Sequence, residues 1–130
     1  MPVRSLNSRV LRWPDAREVL RAVSNWAEHR AAERPDVEAI GVAGSYARGN
    51  WSVGSDVDIV VLVRSSETPF MARPRSWSLE GIPVPADLLI YTRAEWREMK
   101  RRGGGGEVLP RETHWVYRRQ AQRGSRAQPK

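Results

Sequence analysis

The sequence predicts an α/β (α+β) fold, and three observations carry that prediction. Two stretches open on a capping signature and continue with helical spacing. Three apolar runs of strand length stand beside them. Strand runs and helical stretches alternate along 130 residues, the length of one domain able to bury a real core. Hydrophobic residues make up 40% and charged residues 28%, which excludes a low-complexity or membrane-embedded chain. There is no cysteine, so a disulfide frame and a thiolate metal site are both excluded. The first nine residues lack the apolar segment of a secretory signal, and no run is long enough to span a bilayer. The expectation is a cytoplasmic protein with no membrane partner.

Residues 1–13 give no clear period. Asp15 follows Pro14, and Glu18 three residues later completes a capping box. Ala16, Val19, Leu20, Val23, Trp26 and Ala27 recur at three and four, which predicts a helix over 16–33 lying on a core and ended by Pro35. His29 has no Cys or second His at metal spacing and reads as a solvated side chain. Val37–Ala43 is a strand, with Ile40 and Val42 on one face. It leads to a short helix at 45–48, a loop at 49–55 and a second strand at 57–63, close enough to be the neighbour of the first. Residues 64–81 form a polar connection anchored by Trp77 and Leu79. The next strand spans 84–91, with Pro85 at its beginning or on an edge, because proline cannot donate a ladder hydrogen bond. Thr92 and Glu95 repeat the capping signature and open a helix at 93–102, with Trp96 and Met99 inward and Lys100, Arg101 and Arg102 at its negative end. Glycines 103–106 break it as a flexible link. Residues 112–117 make a last short strand, with Trp115 and Tyr117 on one face and His114 on the other.

The chemistry concentrates at 44–63. Asp56 and Asp58 stand two apart at the entrance of a buried strand, so they share a face, with Cα atoms roughly 6.6–7 Å apart. Carboxylates so spaced can converge on a pair of divalent ions about 3.5–4 Å apart. Upstream, Gly44 and Ser45 follow a strand and open a helix, where backbone N–H groups can approach a phosphate. Asp87 is the one acid inside the 84–91 run. Burial of an unpaired carboxylate is costly, and a place beside Asp56 and Asp58 on metal removes the cost. Glu80 is the fallback third acid. Tyr46 and Trp51 either stack on a base or pack into the fold.

Gly44, Ser45, Gly49, Ser55, Asp56 and Asp58 together resemble the nucleotidyltransferase signature of the polymerase-β superfamily, and most of all its small stand-alone members, the minimal nucleotidyltransferases (MNT). Six fixed positions match by chance on the order of 10⁻⁸ to 10⁻⁷ per start site, taking average residue usage. The resemblance implies a small mixed β-sheet with helices packed on one side. It implies transfer of a nucleoside monophosphate from a triphosphate, with ATP as substrate and two Mg²⁺ ions as cofactors. The metal-binding and catalytic residues would be Asp56, Asp58 and Asp87, with Gly44 and Ser45 on the phosphates. Members of this type pair with a small helical HEPN toxin, so the implied role is an antitoxin that adds AMP to a tyrosine of that partner.

Two alternatives stand within the same resemblance: an antitoxin acting by binding alone, or a nucleotidyltransferase acting on a small molecule such as an aminoglycoside. A third class is suggested by the net charge of +7. Five bases and no acid lie from Arg118 onward, which leaves +2 on residues 1–117. The basicity belongs to a tail at 118–130, expected to be disordered, and not to a groove. A domain over 1–117 that does not bind nucleic acid directly is therefore expected.

Overall fold

A computed structural model describes residues 14–102 and 108–120. The expected glycine link at 103–106 and the tail beyond Gln120 lie outside the described residues. Helix α1 is Ala16–Glu33. Asp15 and Glu18 cap it reciprocally, each backbone N–H donating to the other's carboxylate at 2.9 Å. Strand β1, Val37–Ala43, runs into the five-residue helix α2, Gly44–Arg48, and strand β2, Val57–Val63, follows after a loop. A 3-10 helix, Phe70–Ser76, lies in the connection to β3, Ala86–Thr92. Helix α3, Arg93–Arg102, a short α4, Val108–Glu112, and strand β4, His114–Arg118, complete the chain. Helix α4 was not foreseen; five residues containing Pro110 are too few to show a period.

The strands form one mixed sheet in the order β3-β2-β1-β4. β1 pairs antiparallel with both β2 and β4, and β2 pairs parallel with β3. This is the small mixed sheet expected of the α+β class. Its helices are shared between the two faces. Val19, Val23, Trp26, Ala27 and Ala31 of α1 pack against Ile40, Val42, Val57, Ile59, Val61, Leu88 and Ile90. On the opposite face, Trp96 and Met99 of α3 and Leu109 of α4 cluster with Ala43 and Val60. The second helix earns its own face because Trp96 and Met99 are three apart, one stripe of a helix otherwise charged. Each buried Val or Ile in these clusters contributes about 1.5–3 kcal/mol. Trp26 seals one side: its indole N–H donates to the Ser78 carbonyl at 2.7 Å and its ring lies 5.9 Å from that of Trp77.

Two expectations at the C-terminal end are corrected. The register of β4 against β1 shifts between Ile40 and Gly41, so Trp115 joins the α3 face and Tyr117 the α1 face. One bulge moves a side chain to the other side of a sheet. The folded unit also runs past Tyr117. Arg118 ends β4, and the Arg119 guanidinium donates to the carbonyls of Val37, Ala31 and Arg34 at 2.7, 2.9 and 3.1 Å.

Candidate active site

β1 ends at Ala43, which pairs with Asp58. The next residue, Gly44, has φ 73°. A Cβ at Gly44 would strike the Asp58 carboxylate, with even the carboxyl carbon only 3.2 Å away. Glycine is therefore required here twice, by backbone conformation and by the acid pressed against it. Helix α2 begins without a side-chain cap and ends at Gly49, φ 84°. The Ser45 carbonyl accepts from the N–H groups of Gly49 and Asn50 at 2.9 and 3.1 Å. Ser55 then shapes the approach to β2: its N–H donates to the Ser52 carbonyl and its hydroxyl oxygen accepts from the Ser52 N–H, both at 2.9 Å.

Asp56 stands exposed just before β2, and Asp58 is half-buried within it. Asp58 and Asp87 face each other in register across the parallel β2–β3 pair. Adjacent strands lie about 4.8 Å apart. Partial burial pushes the Asp58 carboxyl above the usual carboxylate range, and the charges of Asp87 and then Asp56 push it further; Arg48 pulls the other way. Asp87 and Asp56 thus both act electrostatically on Asp58. Asp87 itself is exposed, which corrects the argument from burial: it meets water, and what singles it out is its place opposite Asp58.

Other candidates lie elsewhere. Glu80 sits by a pocket with Trp26, His29 and Arg30 on the α1 side, away from the acids. His29 is exposed with Nδ1 2.9 Å from the Asn25 carbonyl, and His114 is exposed on β4. Tyr46 is 4% exposed and stacks on Trp51 with centroids 5.6 Å apart and planes 7° apart, so packing accounts for it. Arg48 is the residue that the sequence left open between meeting phosphate charge and lying on the surface. It pairs with Glu112 at 3.2 Å and its charge reaches Asp58. Only its position inside the signature, just before Gly49, hinted at this, since its partner lies on the unforeseen α4.

A family model, the nucleotidyltransferase domain, matches residues 25–112. The chain belongs to the nucleotidyltransferase domain family. A crystal structure of a Sulfolobus solfataricus protein, named as a candidate nucleotidyltransferase, superposes with a TM-score of 0.61 at 22% identity. The match covers 81% of this chain and 85% of that one, and it shows the shared fold. A toxin–antitoxin structure solved with AMP-PNP is more distant, with a TM-score of 0.47 and 15% identity over 78% of each chain, too loose a likeness to carry weight. No curated protein matches the chain by sequence. No helix among the described residues is long and apolar enough to cross a membrane.

The chemistry of Asp56, Asp58 and Asp87 fits Mg²⁺: they offer oxygen alone, and a cation would offset the burial and like charge that raise Asp58. Among the described residues, no three His, Cys, Asp or Glu side chains are gathered into a ready-made cage. Mg²⁺ does not require one, because it is usually held by one or two carboxylates together with substrate phosphates and water.

Proposed function

We propose that this nucleotidyltransferase transfers AMP from ATP to a tyrosine hydroxyl of a small helical HEPN partner, and that the transfer neutralises the partner as a toxin. The observation that carries the transfer reading is the Gly44 turn pressed against Asp58, with Asp87 directly opposite. Gly44 and Ser45 hold the terminal phosphates through the N–H groups at the uncapped start of α2. Asp56, Asp58 and Asp87 hold Mg²⁺. When bound, Mg²⁺ neutralises phosphate charge and lowers the pKa of the acceptor hydroxyl. Arg48, on the same helix, adds positive charge beside the phosphates.

The acceptor oxygen forms a bond to the α-phosphorus as the α–β phosphoanhydride bond breaks, and pyrophosphate leaves. The hydroxyl proton passes to an Asp87 carboxylate oxygen and on to water, which Asp87 meets directly. The partner assignment rests on the MNT resemblance carried by Gly44, Ser45, Gly49, Ser55, Asp56 and Asp58.

The test incubates the protein with Mg²⁺ and ATP labelled at the α-phosphate, in lysate of its source, beside Asp58→Asn. A labelled protein band that is missing in the variant is expected. Label on a small molecule would replace the protein acceptor with a small one. If no triphosphate gives label and Asp58→Asn still neutralises the partner, the transfer reading fails in favour of binding alone.

A further inference from the structure

A cavity of about 220 Å³ lies at the far end of the sheet, where β2 finishes at Val63 and β3 nears its end at Ile90. Three arginines line it: Arg34, just past α1, and Arg73 and Arg75 of the 3-10 helix. Ser66 and Ser76 add hydroxyls, and Asp36 is the one acid in the lining. We propose that this cavity is an anion site that takes a phosphate group, held by Arg34 and Arg75. The proposal goes beyond the transfer reading and does not depend on it.

The three arginines are not equivalent. Arg73 is structural: it donates to the carbonyls of Thr68 and Ile90 at 2.8 Å and to both oxygens of Glu95 at 2.7 and 3.0 Å, so its charge is already balanced. Arg34 is fixed but not neutralised. Its guanidinium lies over the Trp77 ring, 4.1 Å from the centroid, and one of its nitrogens donates to the Ser76 carbonyl. No carboxylate among the described residues pairs with it. Arg75 is exposed and makes no hydrogen bond or ion pair among the described residues. Two uncompensated guanidinium groups thus stand against one carboxylate. A guanidinium already held on a ring loses little freedom when it takes an anion.

Size and chemistry name the occupant. The cavity is smaller than the roughly 300–1,000 Å³ that takes a drug-sized ligand, which suits a phosphate group and leaves a nucleobase outside. Arginine forks match phosphate oxygens in pairs. The Ser66 hydroxyl oxygen accepts from the Thr68 N–H at 3.1 Å, which leaves its proton free to donate. The donors come from three separate segments: Arg34 follows α1, Ser66 follows β2, and Arg75 lies on the 3-10 helix. Donors from three segments suit a tetrahedral anion, with oxygens on every side, better than a flat carboxylate. An apolar ligand would leave them unpaired. The site is also distinct from the acids. Asp58 and Val63 are five residues apart on β2, about 17 Å along a strand, so a phosphate held here is not one on which the acids act.

Indole NMR tests this without turnover. The chain has six tryptophans; Trp77 lines the cavity, and Trp115, on the α3 face, serves as an internal control. The full chain, labelled with ¹⁵N at its indoles and assigned with Trp77→Phe, is titrated with inorganic phosphate and with pyrophosphate at constant ionic strength and without Mg²⁺. Saturable movement of the Trp77 signal with Trp115 still is expected. Tighter binding of pyrophosphate assigns the site to the leaving group of a triphosphate, and tighter binding of phosphate to the free ion. Arg75→Gln should weaken binding about threefold to fivefold, as for an exposed ion pair, and Asp36→Asn should strengthen it about twofold to threefold. Arg34→Lys keeps the charge but loses the fork and should also weaken it. The proposal is overturned if Trp77 does not move or if Trp115 moves equally. It is overturned if Arg75→Gln and Asp36→Asn leave the affinity unchanged, which would mean an adventitious ion only. It is overturned too if Asp58→Asn alters the affinity as much as Arg75→Gln does, which would place the anion at the acids.

Discussion

The parallel strands β2 and β3 have two ends, and their charges are arranged in opposite ways. At the end where both strands begin, Asp87 and Asp56 both set like charge against Asp58, and Arg48, the cation that reaches Asp58, is shared with Glu112. At the end where β3 runs into α3, Glu95 and Glu38 each have their own base. Arg73 forks onto Glu95, Arg93 pairs with Glu38, and Thr92 exchanges hydrogen bonds with Glu95 at 2.9 and 3.1 Å. Asp58 is pushed up by burial and like charge, whereas the Arg73 hydrogen bond pulls Glu95 down. The second end is built to hold the fold. The first costs the fold stability, a cost that a bound cation would offset.

The largest test of this contrast is Asp58→Asn. Nucleotidyl transfer should fall at least about 100-fold, as for loss of a group acting on the transition state, while thermal stability at neutral pH rises. The sign follows from the shift: a carboxyl raised in the folded state binds more protons folded than unfolded, so wild-type stability drops as pH climbs through its titration. The variant's advantage should therefore vanish below the usual carboxylate range, which melting curves at pH 7 and about pH 3 will show. Gly44→Ala comes next. The added methyl meets Asp58 and a left-handed backbone, so a loss of about 1–3 kcal/mol is expected in denaturant titration, together with reduced transfer.

At the other end the signs reverse. Arg73→Met should cost about 1.5–3 kcal/mol, the range for hydrogen bonds to charged groups. Glu95→Gln should also destabilise at neutral pH. Because Glu95 is pulled down, its stabilising share is present above the ordinary carboxylate range and is lost as pH falls through its folded pKa, so the gap between wild type and variant should close in acid. The smallest effect is that of Thr92→Ala, about 1 kcal/mol from the lost cap, with transfer unchanged. A rise in stability for any of the three substitutions at this end would break the contrast.

The helix starts were readable, because their devices are local. Asp15 with Glu18, and Thr92 with Glu95, announce helix starts three residues apart in sequence, and both appear as capping pairs. The cluster Gly44, Asp56 and Asp58 was readable for the same reason. What was not readable depends on register and on distant partners. Arg73 lies in a stretch without periodicity, and its bonds reach Ile90 and Glu95. Trp115 and Tyr117 part company because of a bulge that alternation cannot reveal. Asp87 was chosen for a burial it does not have, yet its strand register sets it opposite Asp58.

Arg73 has one more consequence. β3 is an outer strand of the sheet, and an outer strand offers free carbonyls and N–H groups to any extended segment that drifts by. The Arg73 guanidinium has already taken the Ile90 carbonyl, midway along that strand. The same side chain that braces the arginine-lined cavity thereby blunts the sheet against self-association. A variant without it should show first not as an inactive protein but as one that comes out of solution.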